Sequence, residues 1–416
     1  MTTTRGPALL ILTSTFLAAG ANGISMVAFP WLVLQRTGSA VDASIVAGAA
    51  TLPLLLATLV AGTAVDILGR RRVAMLADAL SASSVAAIPV LALALGTDVL
   101  NTAVLAGLAA LGALFDPAGM TARLSMLPEA AQRARWTLDH ANSVYEAVFN
   151  LAYITGPGVG GLLIATVGGV NTMWVTAGAF LLAILAMAVL RLEGAGRPDE
   201  EKRPETVLSG VVEGLRFVWR NRVLRTLGLI DLAVTGLYLP MEAVLFPKYF
   251  TDRNEPAQLG WVLMALSVGG LIGALSWTVL SRVTSKRTTV LVAVLTFGGA
   301  VMVIAFLPPL PVILSLSALV GLVYGPIGPI YNSVMQTRTP EHLRGRVVGV
   351  MTSMAYAAGP VGFMLAGPLV DGFGLQVAFL VLAVPVLVIG MICPWLPVLR
   401  ELDRGGGETG APPAHS

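Results

Sequence analysis

Cysteine occurs once in the 416 residues, at Cys393, and histidine three times, at His140, His342 and His415. A lone thiol excludes a disulfide within the chain and a thiolate-held metal cluster. Three histidines so far apart in sequence give no ligand spacing for zinc. The lysines are Lys202, Lys248 and Lys286, and none follows a glycine, so there is no phosphate-cradling P-loop. Any transport would have to draw on an ion gradient or on a substrate's own gradient, and no cofactor is implied. Charge is scarce as well: charged residues make up 12% of the chain, against about 25% in soluble domains. Hydrophobic residues make up 56% and mean hydropathy is +0.82, the composition of an integral membrane protein. The net charge of +3 does not indicate nucleic acid, because the bases sit in short loops rather than on one face.

What the chain has in abundance is long apolar runs. The first, about Leu9–Leu34, is too long for the apolar region of a signal peptide and is followed by many equals, so it reads as span 1. Span 2 runs from about Val41 to Gly62. Further spans fall at about Val73–Leu95, Thr102–Ala122, Leu138–Val167, Thr172–Leu192, Leu224–Phe250, Leu259–Leu280, Thr288–Leu307, Pro311–Met335, Val347–Leu369 and Gln376–Leu399. Roughly twenty residues at 1.5 Å each cross a hydrocarbon core of about 30 Å. Twelve spans with the amino terminus inside leave only Arg36, Lys248 and Arg253 of the 26 bases outside. That segregation predicts both termini in the cytoplasm of a multi-pass cell-membrane protein.

The fold class expected is therefore all-α, with twelve membrane helices in two pseudo-symmetric six-helix bundles. Residues 1–192 form the first bundle and 223–399 the second. Between them, residues 193–222 form a cytoplasmic linker, and 400–416 a glycine- and proline-rich tail expected to be disordered. The linker opens with Pro198 to Pro204, a charged solvated stretch. Val207, Leu208, Val211, Val212, Leu215, Val218 and Trp219 then recur at helical spacing opposite Glu213, Arg216 and Arg220, which predicts an amphipathic helix on the inner leaflet. The halves look related. Pro117 and Pro128 recur as Pro329 and Pro340, each second proline followed by glutamate (Glu129, Glu341), and Gly156-Pro157 of span 5 matches Gly359-Pro360 of span 11.

Spans 2 and 3 are joined by a tight hairpin, Gly62-Thr63-Ala64-Val65-Asp66-Ile67-Leu68-Gly69-Arg70-Arg71-Arg72. Gly62 leaves room for a neighbouring backbone and Gly69 permits the turn. The arginines fix the loop inside, whereas Asp66 has no topological use. G-x3-D-x2-G-R-R resembles the loop 2–3 signature of the major facilitator superfamily of secondary transporters. In span 5, Gly156, Pro157, Gly160 and Gly161 form G-P-x-x-G-G, similar to the antiporter motif of exporters in that superfamily, with Ala152 upstream where a glycine is often found. This glycine face is expected to pack closely against the other half. Pro340-x-x-x-Arg344-Gly345-Arg346-Val347 before span 11 resembles the third drug:proton antiporter group, the macrolide and enterobactin exporters. Thr37-Gly38-Ser39-Ala40, Glu213-Gly214-Leu215-Arg216 and Trp219-Arg220-Asn221-Arg222 resemble that group too. Span 4 lacks the arginine-containing signature of other drug-exporter groups, so no proton-handling residue carries over from them.

Acids within spans need a reason, since an ionised carboxylate at mid-bilayer costs at least about 2.5–3.5 kcal/mol. By resemblance, Arg70 pairs with an acid of span 4 and Asp66 caps the start of span 11, which makes Asp116 a gating component. Asp78, under two turns from Arg72, is expected to pair with that basic end. Glu146 shares a helix face with Asn142 and Asn150. Asp231 and Glu242, eleven residues apart in span 7, also share a face at different depths, with Glu242 beside Pro240. Glu242, then Asp231, then Glu146 are the candidates for substrate and proton coupling. A carboxylate in an apolar cavity can alternate between protonated and ionised forms, which suits proton-coupled export of a small amphipathic drug, antibiotic or siderophore by a monomer. Uptake or lipid movement by the same fold, and a receptor or scaffold, remain open alternatives. No nucleophile–base pair or metal constellation supports a membrane enzyme.

Overall fold

The computed structural model describes residues 5–192, 207–340 and 343–403. Each half builds six spans from amphipathically weak, apolar helices. Span 1 is α1, Gly6–Thr37, and span 2 is α2, Ala40–Leu68. Span 3 is α3, Arg70–Leu95. Span 4 is broken into α4, Thr102–Ala113, and α5, Asp116–Ala134. Spans 5 and 6 are α6, Leu138–Val167, and α7, Gly169–Val189. The amphipathic helix α8, Val207–Arg220, leads into span 7, which is α9, Arg222–Pro240, a π-helical turn over Met241–Leu245, and α10, Phe246–Thr251. Span 8 is α11, Pro256–Leu280, and span 9 is α12, Lys286–Ile304. Span 10 is again broken, into α13, Leu310–Tyr324, and α14, Ile327–Arg338. Spans 11 and 12 are α15, Arg344–Phe373, and α16, Leu375–Ile392. Among the described residues eleven helices are long and apolar enough to cross a membrane. The twelfth span is α2, a 29-residue helix whose Ala40–Leu54 portion is apolar.

Local chemistry sets the ends. Ser39, Asn101, Thr137, Asn221 and Ser285 each accept a first-turn N–H at a helix start. The hairpin turn depends on Gly69, whose φ of 88° is open to glycine and costly to other residues. The sequence places the end of span 4 near Ala122, but the helix continues to Ala134 with Pro128 inside it. On α8 the apolar positions divide: Val218 is buried, while Val212, Leu215 and Trp219 are exposed along one stripe.

The helices pack as two related bundles. In the first, α1 lies against α6 and α7, and α3 against α7. In the second, α11 lies against α13, α9 against α15, and α12 against α16. Between the halves, α2 packs on α15 and α6 on α11. Advancing each span by six exchanges these two contacts, as a pseudo-two-fold relation requires. The breaks in spans 4 and 10 fall at related positions and add to the same symmetry.

Candidate functional site

The first half holds a buried polar cluster. Arg123 on α5 donates from Nη2 to both carboxylate oxygens of Asp78 at 2.5 Å and from Nε to Ser14 Oγ at 3.1 Å. Both side chains are almost fully buried, so each charge is tolerated only because the other is there. Asp78 therefore pairs across helices with Arg123, and not with the Arg72 end of its own helix. Gly119 lets α5 approach α3 at this point: a Cβ there would lie 2.9 Å from the Ala77 methyl. One turn further along α3, Ser81 Oγ donates to Asp116 at 3.1 Å and lies 3.0 Å from the Gly112 carbonyl. Asn22 of α1 lies beside Asp116. Asp116 thus sits where span 4 breaks, between spans 1 and 3.

At the hairpin, Arg71 donates from Nε to the Met187 carbonyl at 2.9 Å and from Nη2 to that of Ala188. It closes the end of α7 within its own half, satisfying carbonyls that a helix C-terminus leaves open. Arg70 is half-buried. The side chains of Asp66, Arg344 and Arg346, and the surroundings of Gly62, lie outside what is described, as do residues 193–206, 341–342 and 404–416 of the expected linker, loop and tail.

Span 5 carries two glycine faces. Gly156 and Gly160 meet α1 of their own half: a Cβ on Gly156 would lie 2.8 Å from Gly23 Cα, and one on Gly160 would lie 3.1 Å from Ile24 Cα. Pro157, Gly158 and Gly161 meet span 8 of the other half, where a Cβ on Gly161 would lie 2.5 Å from the Pro256 carbonyl. At 100° per residue these two sets cannot share a face, so the cross-half contact falls on Gly161 and the expectation that Gly160 makes it is corrected. Glu146 and Asn142 are exposed, and Asn150 spends an amide proton on the Glu146 carbonyl at 2.8 Å.

Span 7 brings its two acids to tyrosines. Tyr324 of α13 donates from its hydroxyl to Asp231 Oδ1 at 3.2 Å. Glu242 lies on the π-turn after Pro240, with Tyr238 four residues earlier along the same span. Such a turn leaves backbone groups off the regular ladder and is common at functional sites. The two tyrosines flank Phe297, at centroid distances of 5.5 Å and 5.7 Å. Beside these rings lies a cavity of about 220 Å³ between spans 7, 8, 9 and 10.

Sequence reading missed Arg123, Tyr238, Phe297, Tyr324 and Asp371. Tyr238 was legible as the residue one turn before Glu242. Asp371 ends span 11 and reaches the other half: it accepts Ser39 Oγ at 2.8 Å, the Ala40 N–H at 2.9 Å and the Val41 N–H at 3.1 Å. Among the described residues, no group of three or more acids, histidines or cysteines is placed to hold a metal ion.

Residues 11–363 match the Major Facilitator Superfamily. Over 401 residues, 96% of this chain and 98% of the relative, the sequence is 70% identical to a Mycolicibacterium fortuitum protein named multidrug efflux pump Tap. A Mycobacterium tuberculosis protein of the same name is 65% identical over 399 residues, 96% of this chain and 95% of its own. Macrolide efflux protein A of Streptococcus pyogenes is 21% identical over 386 residues, covering 92% and 94% of the two chains. Among solved structures, the nucleoside transporter NupG superposes with a TM-score of 0.74 over 93% of this chain and 98% of its own, at 13% identity. Sequence and fold agree, and the chain belongs to the Major Facilitator Superfamily of transporters.

Proposed function

We propose that the protein is a proton-driven exporter of small amphipathic drugs, working by alternating access between its halves. The observation that carries this reading is the placement of Glu242, an acid on a π-turn within span 7, one turn from Tyr238. A carboxylate held this way costs free energy unless it has a task, and reversible protonation is the task a membrane acid performs best. Resemblance over nearly the whole chain to relatives named multidrug efflux pumps supports the direction of transport and the class of cargo. Transport by this family, and relatives named as pumps, speak for a transporter and against an enzyme.

Within this reading the first half comprises residues 1–192 and the second 223–399. The 193–222 linker and the 400–416 tail lie on the cytoplasmic side together with both termini, the transporter works as a monomer in the cell membrane, and its partners are the drug, protons and lipid. Asp66, Arg70, Arg71 and Asp116, with Gly62 and Gly69, serve the inner gate. Asp231 is the second coupling acid, and Glu146 with Asn142 and Asn150 draws cationic cargo to the exposed face of span 5.

The test is substrate-induced proton movement in vesicles carrying Glu242→Gln, Asp231→Asn or Glu146→Gln. Glu242→Gln imitates the protonated acid, so uphill efflux is lost while downhill exchange continues. Wild-type proton exchange in all three variants would overturn the coupling assignment.

A further inference from the structure

Helix α8 is not a span, yet it carries an apolar stripe that the rest of the chain leaves uncovered. Gly214 and Val218 are buried and Phe217 packs beside them, which seats the helix on α15 and α9. Val212, Leu215 and Trp219 are 48%, 45% and 53% exposed, so this second stripe stays about half open. At 100° per residue it lies about a third of the circumference away from Gly214 and Val218. The depth of the helix is fixed by its neighbours. One residue, Asn221, separates α8 from span 7, and its side chain caps the first turn of α9. Arg225 of that turn donates from Nη1 to the Trp219 carbonyl at 3.2 Å and ties the end of α8 to the start of the span. A helix of 14 residues, about 21 Å long, is thereby held along the bilayer surface.

The charges border the open stripe on one side. Arg216 and Arg220 are exposed, stand one turn apart and lie roughly 70° and 110° from the stripe's centre. Arg222 follows at the corner and is exposed as well. Among the described residues no carboxylate pairs with any of these three arginines. Glu213 is the one acid in the helix, so the surface is net positive. A helix facing water has no use for a half-open tryptophan, leucine and valine in a row. A zwitterionic bilayer would cover the stripe but leave the arginines without a counter-charge. An anionic phospholipid answers both: acyl chains lie under the stripe, and phosphate oxygens meet guanidinium groups that bind them in pairs. Arginine stems can run along the apolar zone while their heads stay at phosphate level, the depth that tryptophan also favours.

We propose that this face of α8 is a docking surface for anionic phospholipids of the inner leaflet, with Arg216 and Arg220 on the phosphate and Val212, Leu215 and Trp219 over the acyl chains. Because α8 is seated on α15 and α9, the contact ties the inner ends of spans 11 and 7 to the charge of the leaflet.

The experiment uses the full chain in phosphatidylcholine nanodiscs, with Leu215→Cys in a Cys393→Ser background carrying an NBD fluorophore. Spin-labelled phosphatidylglycerol or spin-labelled phosphatidylcholine is titrated in as quencher. Half-quenching should need a much lower mole fraction of the anionic lipid. Arg216→Gln and Arg220→Gln should each raise that fraction about five-fold, and the double variant should bring it to the phosphatidylcholine value. Arg216→Lys with Arg220→Lys should keep the preference, since the charge remains. A double glutamine variant within twofold of the parent overturns the proposal. Equal quenching of the parent by both lipids also overturns it, since that marks a zwitterionic surface contact only. Emission typical of water that neither lipid quenches overturns it too, and leaves the face to a protein partner. Should the glutamine variants fold poorly, the labelled parent decides. Sodium chloride at about 0.5 M should erase most of the preference, and a preference that salt does not move refutes the guanidinium contact. None of these readouts depends on efflux, so failure here leaves the export reading standing, and failure of that reading leaves the lipid contact standing.

Discussion

Neutralising Asp371 should open the end of the transporter that the base distribution places outside the cell. The first turn of an α-helix has four N–H groups without intrahelical partners, and in α2 all four are accounted for. The N-cap Ser39 takes the Asp42 N–H through its hydroxyl and gives its own N–H to Thr37 Oγ1. The Ala40 and Val41 N–H groups go to Asp371, from the far end of span 11 in the other half. Separating the halves at this end strips both donors and the Ser39 hydroxyl of their acceptor. An anion at a helix N-terminus contributes about 0.3–1 kcal/mol, and hydrogen bonds to a charged group contribute more, about 1.5–3 kcal/mol where buried. Asp371 is exposed and Ser39 half-buried, so water replaces part of what is lost and a net of about 1–2 kcal/mol is expected. That corresponds to a roughly 5- to 30-fold shift toward states open at this end. The assay places a single cysteine at Thr51, whose methyl lies beside Gly359 at the α2–α15 contact, in a Cys393→Ser background. A membrane-impermeant maleimide is then added from outside. Labelling should accelerate about 5- to 30-fold in Asp371→Ala and less in Asp371→Asn, which keeps an acceptor but loses the charge. A rate in Asp371→Ala within twofold of the parent would show that the carboxylate does not hold the halves together.

Further outcomes follow from the same contacts. Gly161→Leu should freeze cysteine accessibility of the two mouths in one pattern, because a side chain there meets the Pro256 carbonyl of the other half. Gly160→Leu should instead lower abundance by disturbing α1, so identical behaviour of the two variants would refute the assignment of faces. Arg123→Ala strands a buried carboxylate and should destabilise the protein by about 3–5 kcal/mol in thermal unfolding. The double variant Asp78→Asn with Arg123→Gln should recover part of that loss, and strict additivity would deny the pairing. Asp66→Asn and Arg70→Ala should abolish efflux at near-normal membrane abundance; normal efflux in both would leave the hairpin a purely topological device.

The spans were legible because a bilayer imposes length and composition on each one separately. The failures are pairwise. Span 4 looks finished at Ala122 because Arg123 follows, and no local rule announces that Asp78, 45 residues away, neutralises it. Once paired, the arginine sits inside the continuing helix to Ala134. Asp371 and Ser39 are 332 residues apart, and Tyr324 and Asp231 are 93 apart. Periodicity along one helix cannot supply either partner. Tyr238 is different: it stands one turn from Glu242, and the spacing alone was enough to pair them.

The two glycine faces of span 5 recur in span 11, and together they indicate which contacts must break during transport. On α15, a Cβ on Gly362 would meet the Gly236 carbonyl and Pro240 of span 7 in its own half. One on Gly367 would lie 2.7 Å from both Ser44 Oγ and Val41 Cα of span 2 in the other half. Gly156 and Gly362 therefore fasten each helix into its own bundle, while Gly161 and Gly367 form seams between bundles. Small residues allow helices to approach closely, but the close approach serves opposite ends in the two cases. Gly156–Gly23 and Gly362–Gly236 can stay in contact throughout a rigid-body rocking motion. The Gly161–Pro256 and Gly367–Val41 contacts must part when that end opens. The Asp371 cap lies one turn beyond the second seam, so its loss should make that seam the first to yield.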